Sequence, residues 1–408
     1  MNQGKILFLF TDTYPYDVGE QFVANEAEYL SQKFEKVYVF PNKKHRILRD
    51  IPVNFKIVHL FDFVKYNNIS LYLKNLPLII RIFANEFFNS TDKIKFLRIL
   101  RVHLRVLLNG ISNADEICRY ILNEKLEAGK IYFYSYWFYD WNIVLGILKR
   151  QKKIKSFISR CHMGDIYESL WYKDKMLFQY FKMKMVNMLY PVSLHAENHL
   201  KNSFPEFSLK FKKFYLGVKD NGLNPYHSHE KFTLVSCSTL QARKRVQLIV
   251  EILKNIKFNV HWIHFGAGVM NNRIADFISQ LPPNISSDFK KNIKNSEIIK
   301  FYQTIPVDLF ITVSRAEGLP VSLMEAASFG IPLMGTSVFG IPEIVNSETG
   351  FLIDKDFDCK NAAEIIISFN ENQDKQKFRS AARQHFLKHF NAEINYSGFA
   401  DEILKNSF

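Results

Sequence analysis

With 408 residues, 47% hydrophobic and 23% charged, the chain is globular, sized for two domains, and not a disordered segment. Fifty-four Lys and Arg against 40 Asp and Glu leave a net charge of +14, which favours anionic partners: nucleotides, nucleic acid or a membrane surface. Cys118, Cys161, Cys237 and Cys359 stand too far apart for a metal or redox spacing and read as reduced core residues of a cytoplasmic protein.

Lys5 to Phe10 is an apolar run too short for a signal core, and it flows straight into a loop. It reads as a buried strand. Thr11 to Val18 is a polar, aromatic loop, Gly19-Glu20-Gln21-Phe22 opens a helix to about Phe34, and Val37 to Phe40 is a second strand. Strand, loop, helix, strand predicts a doubly wound α/β domain whose ligands bind at the carboxyl ends of the strands. The Tyr14 to Glu20 loop is therefore expected to face a cleft, although it holds one glycine, Gly19, and not the three of a dinucleotide fingerprint.

Residues 60–110 interleave Lys65, Lys74, Arg81, Lys93, Lys95, Arg98, Arg101 and Arg105 with Leu, Ile and Phe. Arg98, Arg101 and Arg105 are spaced to share one face of a helix. Such a basic amphipathic segment suits an anionic membrane surface or a solvated helix face over a core, the latter being the preferred reading, and no run is long enough to span a bilayer. Ile131 to Tyr136 is a further strand. The aromatic loop Trp137 to Trp141 after it can stack on sugars or belong to the core, and the core reading is preferred. Phe157 to Asp165 ends a strand in Arg160-Cys161-His162 and turns at Gly164-Asp165, which puts a histidine where sheet active sites are built. Asp165 and Tyr167 are weaker candidates. Tyr190 to Ser193 is a strand and Ala196 to Phe204 a helix.

Lys219 to Glu230, polar with Gly and Pro, reads as a linker. Phe232 to Cys237 opens a second domain. The basic turn Arg243-Lys244-Arg245 lies between that strand and a helix to Lys254, where a diphosphate can be held. Val260 to Phe265 ends in Gly266-Ala267-Gly268, and Ile298 to Tyr302 is a short helix. Leu309 to Val313 is a strand, Val321 to Phe329 a helix after Pro320, Ile331 to Gly335 a strand, and Gly350 to Ile353 the last strand. Helices over Lys360 to Ser368, Asp374 to Phe390 and Ala392 to Phe408 complete the chain.

The stretch from Leu309 to Val345 carries most of the chemistry. The unpaired amides and dipole of a helix start make an anion site, best suited to a diphosphate, and Gly318 allows close approach to the backbone. Glu317 and Glu325 stand beside it. Carboxylates repel phosphate, so they are expected to bind hydroxyls, Glu325 on a ribose and Glu317 on another sugar. The plainer alternative has Glu317 cap the helix and Glu325 pair with Arg315.

Glu317-Gly-Leu-Pro-Val-Ser-Leu-Met-Glu325 resembles the E-x7-E signature of retaining glycosyltransferases of family 4, which have the GT-B fold of two Rossmann-like doubly wound domains facing a central cleft. Pro15-Tyr16-x-x-Gly19-Glu20-x-Phe22, Arg160-x-His162-x-x-Asp165, Leu216-Gly217-Val218 and Gly266-x-Gly268 resemble other segments of that family. The resemblance divides the chain into an acceptor-side domain at 1–218, a linker at 219–230, a nucleotide-sugar domain at 231–390 and a terminal helix at 391–408 that packs back on the first domain. It implies that His162 lies beside the donor sugar, that Gly19 lets an amide approach donor or acceptor, and that the Gly266 loop lies near the nucleotide. Lys244, with the amides of Gly318 and Leu319, would hold the diphosphate. Where the family has an arginine this chain has Thr239, and either Arg243 or Arg245 would supply the missing charge. Phe339-Gly340 stands where the family commonly has two glycines.

The function expected is retaining, metal-independent transfer of a sugar from a UDP- or GDP-sugar to a glycan or lipid-linked acceptor in bacterial surface polysaccharide synthesis. It needs no cofactor and no nucleic acid, and takes place in the cytoplasm or at the inner face of the membrane. The residues proposed to act directly are His162, Glu317 and Lys244. A nucleotide-sugar epimerase or phosphorylase of the same fold is the alternative, and a basic nucleic-acid-binding protein the alternative from another class.

Overall fold

Runs such as Ile6–Thr11 and Lys36–Pro41 are apolar at nearly every position, the pattern of strands buried on both faces of a parallel sheet. The structure, a computed structural model, describes residues 4–16, 19–60, 69–90, 92–167, 177–227, 230–372 and 374–406. Asp17, Val18 and Lys65 lie outside the described residues, as do the last two residues of the expected terminal helix. Two units are formed, Met1–Val192 with Ala196–Phe214 and Tyr396–Phe408, and Ser193–His195 with Tyr215–Asn395.

The first unit is built on β1 (Ile6–Thr11), β2 (Lys36–Pro41), β3 (Phe55–Ile57), β4 (Ile131–Ser135), β5 (Ile158–Cys161) and β6 (Met188–Pro191), in the order β3-β2-β1-β4-β5-β6. All its pairings are parallel. The second is built on β7 (Phe232–Cys237), β8 (Val260–Phe265), β9 (Ile285–Lys290), β10 (Leu309–Thr312), β11 (Leu333–Thr336) and β12 (Gly350–Ile353), in the order β12-β11-β10-β7-β8-β9, again all parallel. Each is a doubly wound, Rossmann-like sheet whose order reverses at its middle, between β1 and β4 and between β10 and β7. Ligand sites form at the carboxyl ends beside such reversals.

Two strands absent from the sequence reading, β3 and β9, are edges of their sheets. Ile285–Lys290 buries only its first residue, so it lacks the apolar run that marks a central strand. The shared helix face expected of Arg98, Arg101 and Arg105 is interrupted. Ile99 leaves the helical region (φ −108°, ψ 21°), so Arg98 ends the helix Lys93–Arg98 while Arg101 and Arg105 lie on Leu100–Asn123. The segment expected as a linker is docked on the second unit as far as residue 227. The buried Asn224 side chain donates to the carbonyls of Tyr302 and Ile305 (2.6 and 2.7 Å) and accepts from the Val307 amide (3.0 Å). The last helix, Ala392–Asn406, buries Phe399, Ala400 and Ile403 in the core beside β1, β2 and β4 of the first unit. All four cysteines are free, and among the described residues no helix is long and apolar enough to cross a membrane.

The first unit turns on one buried ion pair. Arg160 Nε on β5 and Glu26 Oε2 on the helix Gln21–Lys33 are 3.0 Å apart, both side chains wholly buried. Tyr134 donates to Glu26 at 2.8 Å, Arg160 donates to the Phe214 carbonyl at 2.9 Å, and the guanidinium lies 3.6 Å over the Phe399 ring. Strand, first helix and last helix thus meet at one charge. Desolvating both ions offsets much of their attraction, but removing one leaves the other uncompensated. Glu26→Leu is therefore expected to destabilise the first unit by about 3–5 kcal/mol. Urea unfolding checks this, and a loss below about 1 kcal/mol would contradict it.

Candidate functional site

In the second unit the functional side chains come from loops at the carboxyl ends of β7 and β10. After β7 the chain makes one 3-10 turn, Ala242–Lys244, and Arg245 adopts φ 51° before the helix Gln247–Leu253. This turn is tied to the loop after β10 by the Arg315 amide on the Arg243 carbonyl (2.8 Å). Side chains close the same junction. Lys244 Nζ donates to Glu317 Oε1, Ser314 Oγ donates to that same oxygen at 2.7 Å, and Arg243 Nη1 lies 3.4 Å from Glu317 Oε2 while also donating to the Ala316 carbonyl. Glu317 is buried, so its charge is matched locally by two cations.

Arg245, the other candidate for the missing charge, is placed elsewhere. Its Nε donates to the Val313 carbonyl at 2.8 Å and its guanidinium lies 5.6 Å over the Phe357 ring. Burial first, then Arg315, lowers its pKa. Arg243 is thus the arginine that joins Lys244 at Glu317.

Helix Val321–Ser328 starts at Pro320 with no side-chain cap. Glu317 does not cap it, contrary to the plainer alternative. Among the described residues the amides of Gly318 and Leu319 donate to no protein acceptor. Two free amides therefore stand next to Lys244 and Arg243 at a helix start, the setting in which an anion is held. The turn is braced by the Phe339-Gly340 loop. A Cβ on Gly340 would fall 1.9 Å from the Gly318 carbonyl oxygen, so only glycine permits this approach.

Glu325, about one turn into the helix Val321–Ser328, accepts from Asn295 Nδ2 at 2.8 Å, at the start of the helix Asn295–Thr304, and among the described residues does not pair with Arg315. Burial pushes its carboxyl up to about 7, with the Asn295 bond opposing. The thiol of Cys237, at the end of β7, is raised to about 12 by burial and then by Glu325, while Lys244 lowers it, so both flank that strand end. Gly266 (φ 139°) follows β8 against the β7 loop, where a Cβ would fall 2.0 Å from the Ser238 carbonyl oxygen. Its packing alone requires glycine.

In the first unit His162 starts the short helix Met163–Ile166, and its amide is held by Asp165 Oδ1. The ring sits among Trp137, Tyr136 and Phe22, with centroids 4.4, 4.9 and 5.8 Å away. Both ring nitrogens are buried and, among the described residues, have no protein partner. Burial first, then Arg160, holds the imidazole pKa well below its usual value, so the ring is neutral at neutral pH. Gly19, with φ 67°, is exposed, and its carbonyl accepts from Arg49 at 2.7 Å.

Three residues had not been assigned to the site. Glu20, in the left-handed region, takes the amides of Asp12 (3.0 Å), Thr13 (2.5 Å) and Tyr14, and the indole N–H of Trp137, on one carboxylate. The loop after β1 is thereby fixed to the aromatic wall of His162. Asn295 and Ser314 orient the two acids. Only Glu20, inside a quoted motif, carried a signal in the sequence. Asn295 and Glu325 are 30 positions apart.

Residues 224–385 match the family model described as glycosyl transferases group 1. No curated protein matches the chain. Among solved structures it is similar to Anabaena Alr3699/HepE in complex with UDP (13% identity, 98% of this chain and 99% of that one, TM-score 0.66). Sucrose-phosphate synthase from Thermosynechococcus elongatus is 12% identical over 98% of each chain, with a TM-score of 0.68. The lipopolysaccharide outer core galactosyltransferase WaaB is 10% identical over 99% of this chain and all of that one, with a TM-score of 0.66. The fold is that of the GT-B glycosyltransferases: two Rossmann-like domains, each on a parallel sheet.

The raised pKa of Glu325 has a definite consequence for stability. Its folded value of about 7 exceeds the ordinary 4.5, so the folded chain binds this proton more tightly than the unfolded chain. The stability this contributes is fully present below about pH 4.5 and is lost as pH rises through about 7. Glu325→Gln removes the dependence. The unfolding midpoint of the variant, relative to the parent, should rise between about pH 5 and pH 8. Parallel midpoints across that range would show that Glu325 is an ordinary, solvated carboxylate.

Proposed function

We propose that the protein is a retaining glycosyltransferase of family 4 that moves a sugar from a nucleoside diphosphate donor to a glycan or lipid-linked acceptor. The observation that carries this reading is the cluster at the carboxyl ends of β7 and β10: Lys244 and Arg243 on Glu317, beside the free amides of Gly318 and Leu319. Two cations and two amides suit a diphosphate, and a buried acid at their centre suits a sugar hydroxyl. UDP is the donor nucleotide we favour over GDP, because the similar Anabaena protein binds UDP.

In this reading the diphosphate takes the free amides of Gly318 and Leu319 and shares Lys244 and Arg243 with Glu317. Glu317 accepts from the donor sugar. Glu325 accepts from ribose hydroxyls. As the glycosidic bond breaks, negative charge grows on the leaving diphosphate, where Lys244 and the helix start are already oriented. The leaving phosphate helps take the acceptor proton, and attack on the same face retains the anomeric configuration. His162, neutral and with two nitrogens that have no partner among the described residues, binds a substrate hydroxyl. Because fixed cations meet the leaving group, turnover proceeds without a divalent metal. The reaction serves bacterial surface polysaccharide synthesis, in the cytoplasm or at the inner face of the membrane.

Lys244→Ala is expected to lower transfer or donor hydrolysis by about 10²-fold or more, since it removes a charge that meets the transition state. Glu325→Ala should mainly weaken UDP, seen as a smaller thermal shift with UDP. Both positions are half-buried and each lies in a single loop or helix, so far-ultraviolet circular dichroism should match the parent. A Lys244→Ala enzyme that turns over donor normally would remove the basis for the site.

A further inference from the structure

The first unit carries a surface that donor binding does not use. Four helices follow one another, Ile69–Lys74, Leu76–Asn89, Lys93–Arg98 and Leu100–Asn123. Of the 21 large apolar side chains exposed among the described residues, nine fall between residues 69 and 104. They recur at helical spacing: Leu76 and Ile80, Ile94 and Leu97, Leu100 and Leu104. Helices of a water-soluble surface show charge at such positions, and an exposed apolar ridge on successive helices marks a contact face.

The charge of this segment has one sign. Between residues 69 and 105 there are seven Lys and Arg against Glu86 and Asp92. Glu86 is buried, accepts the amides of Tyr180 and Phe181 (3.2 and 2.9 Å), and does not offset the outer surface. Among the described residues Arg81, Arg98, Arg101 and Arg105 have no carboxylate partner.

Beside the apolar ridge is a cavity of about 220 Å³, lined by Arg81, Arg150 and Lys184 together with Phe88, Phe181 and Met185. Neither Arg150 nor Lys184 has a carboxylate partner among the described residues. Phe88, in the lining, is 72% exposed. Three unneutralised cations around an opening with aromatic walls fit a phosphate group whose remainder is apolar.

We infer that these helices dock on an anionic bilayer: the exposed Leu and Ile residues enter the interface, the arginines lie at the headgroups, and the Arg81–Arg150–Lys184 cavity takes the phosphate of one lipid. Apolar ridges and basic side chains on the same helices match the two components of an anionic membrane surface, hydrocarbon boundary and negative headgroups. The inference is independent of the donor-site reading, because no residue of that site takes part.

Co-sedimentation of the full chain with vesicles tests it. Binding is expected to vesicles of phosphatidylcholine with about one third phosphatidylglycerol, and to be at least tenfold weaker, roughly, to phosphatidylcholine alone. Arg81→Glu with Lys184→Glu should lower binding to the anionic vesicles by about tenfold or more, and Ile80→Ser with Leu97→Ser should do likewise. All four positions are exposed, so unchanged thermal unfolding certifies each variant. Equal binding to neutral and anionic vesicles, or double variants that bind like the parent, would overturn the inference. So would release by inorganic phosphate at matched ionic strength, which would make the cavity a site for a soluble anion.

Discussion

A buried carboxylate beside an anion site is tolerable only if its charge is matched, and the second unit is arranged around that constraint. Glu317 is met by Lys244, Arg243 and the Ser314 hydroxyl. Lys244 and Arg243 lie after β7, whereas Ser314 and Glu317 lie after β10, so one cluster fixes two loops. An anion arriving here finds cations already engaged and oriented. In the proposed function it would compete with Glu317 for them and would not have to assemble them, so little reorganisation would be left for the moment of reaction.

The loops that hold the cluster are fixed by backbone packing as well. Gly340 lies so close to the Gly318 carbonyl that a methyl group cannot intervene, and Gly266 is equally close to Ser238. Thr336 also donates to the Ser314 carbonyl at 2.6 Å, tying the end of β11 to the acid's own loop. Sites positioned by rigid elements are more accurate than sites on free loops. Glycines that read in the sequence as openings for a ligand serve here first as contacts between loops. The free amides of Gly318 and Leu319 remain available because the packing engages the carbonyl of Gly318.

Strands at the sheet centres were legible because short, largely apolar runs such as Ile6–Thr11 and Leu309–Thr312 fit burial on both faces of a parallel sheet. The edge strands Phe55–Ile57 and Ile285–Lys290 were not, because a half-exposed edge need not be apolar. At the candidate site, local pattern singled out Glu317, Glu325 and Lys244. It left Arg243 and Arg245 undivided, since their directions depend on Ala316, Val313 and Phe357, all remote in sequence. The partner of Glu325 was illegible for the same reason. The Arg98, Arg101 and Arg105 face failed where Ile99 leaves the helix, a local backbone break that spacing does not reveal.

His162 shows what an unfinished arrangement implies. Leaving a buried polar group unsatisfied costs about 1–3 kcal/mol, and among the described residues both nitrogens of this ring are unsatisfied. The surroundings do not relieve the cost. Tyr136, Trp137 and Phe22 offer aromatic faces, and the Trp137 indole N–H, which could have turned to another acceptor, is taken by Glu20. Glu20 in turn is committed to three loop amides, so the wall cannot readily swing to satisfy the imidazole. A neutral imidazole can both donate and accept, which is what a sugar hydroxyl needs. The folded chain has thus borne the desolvation of His162 in advance, and a ligand hydroxyl placed there recovers it on binding.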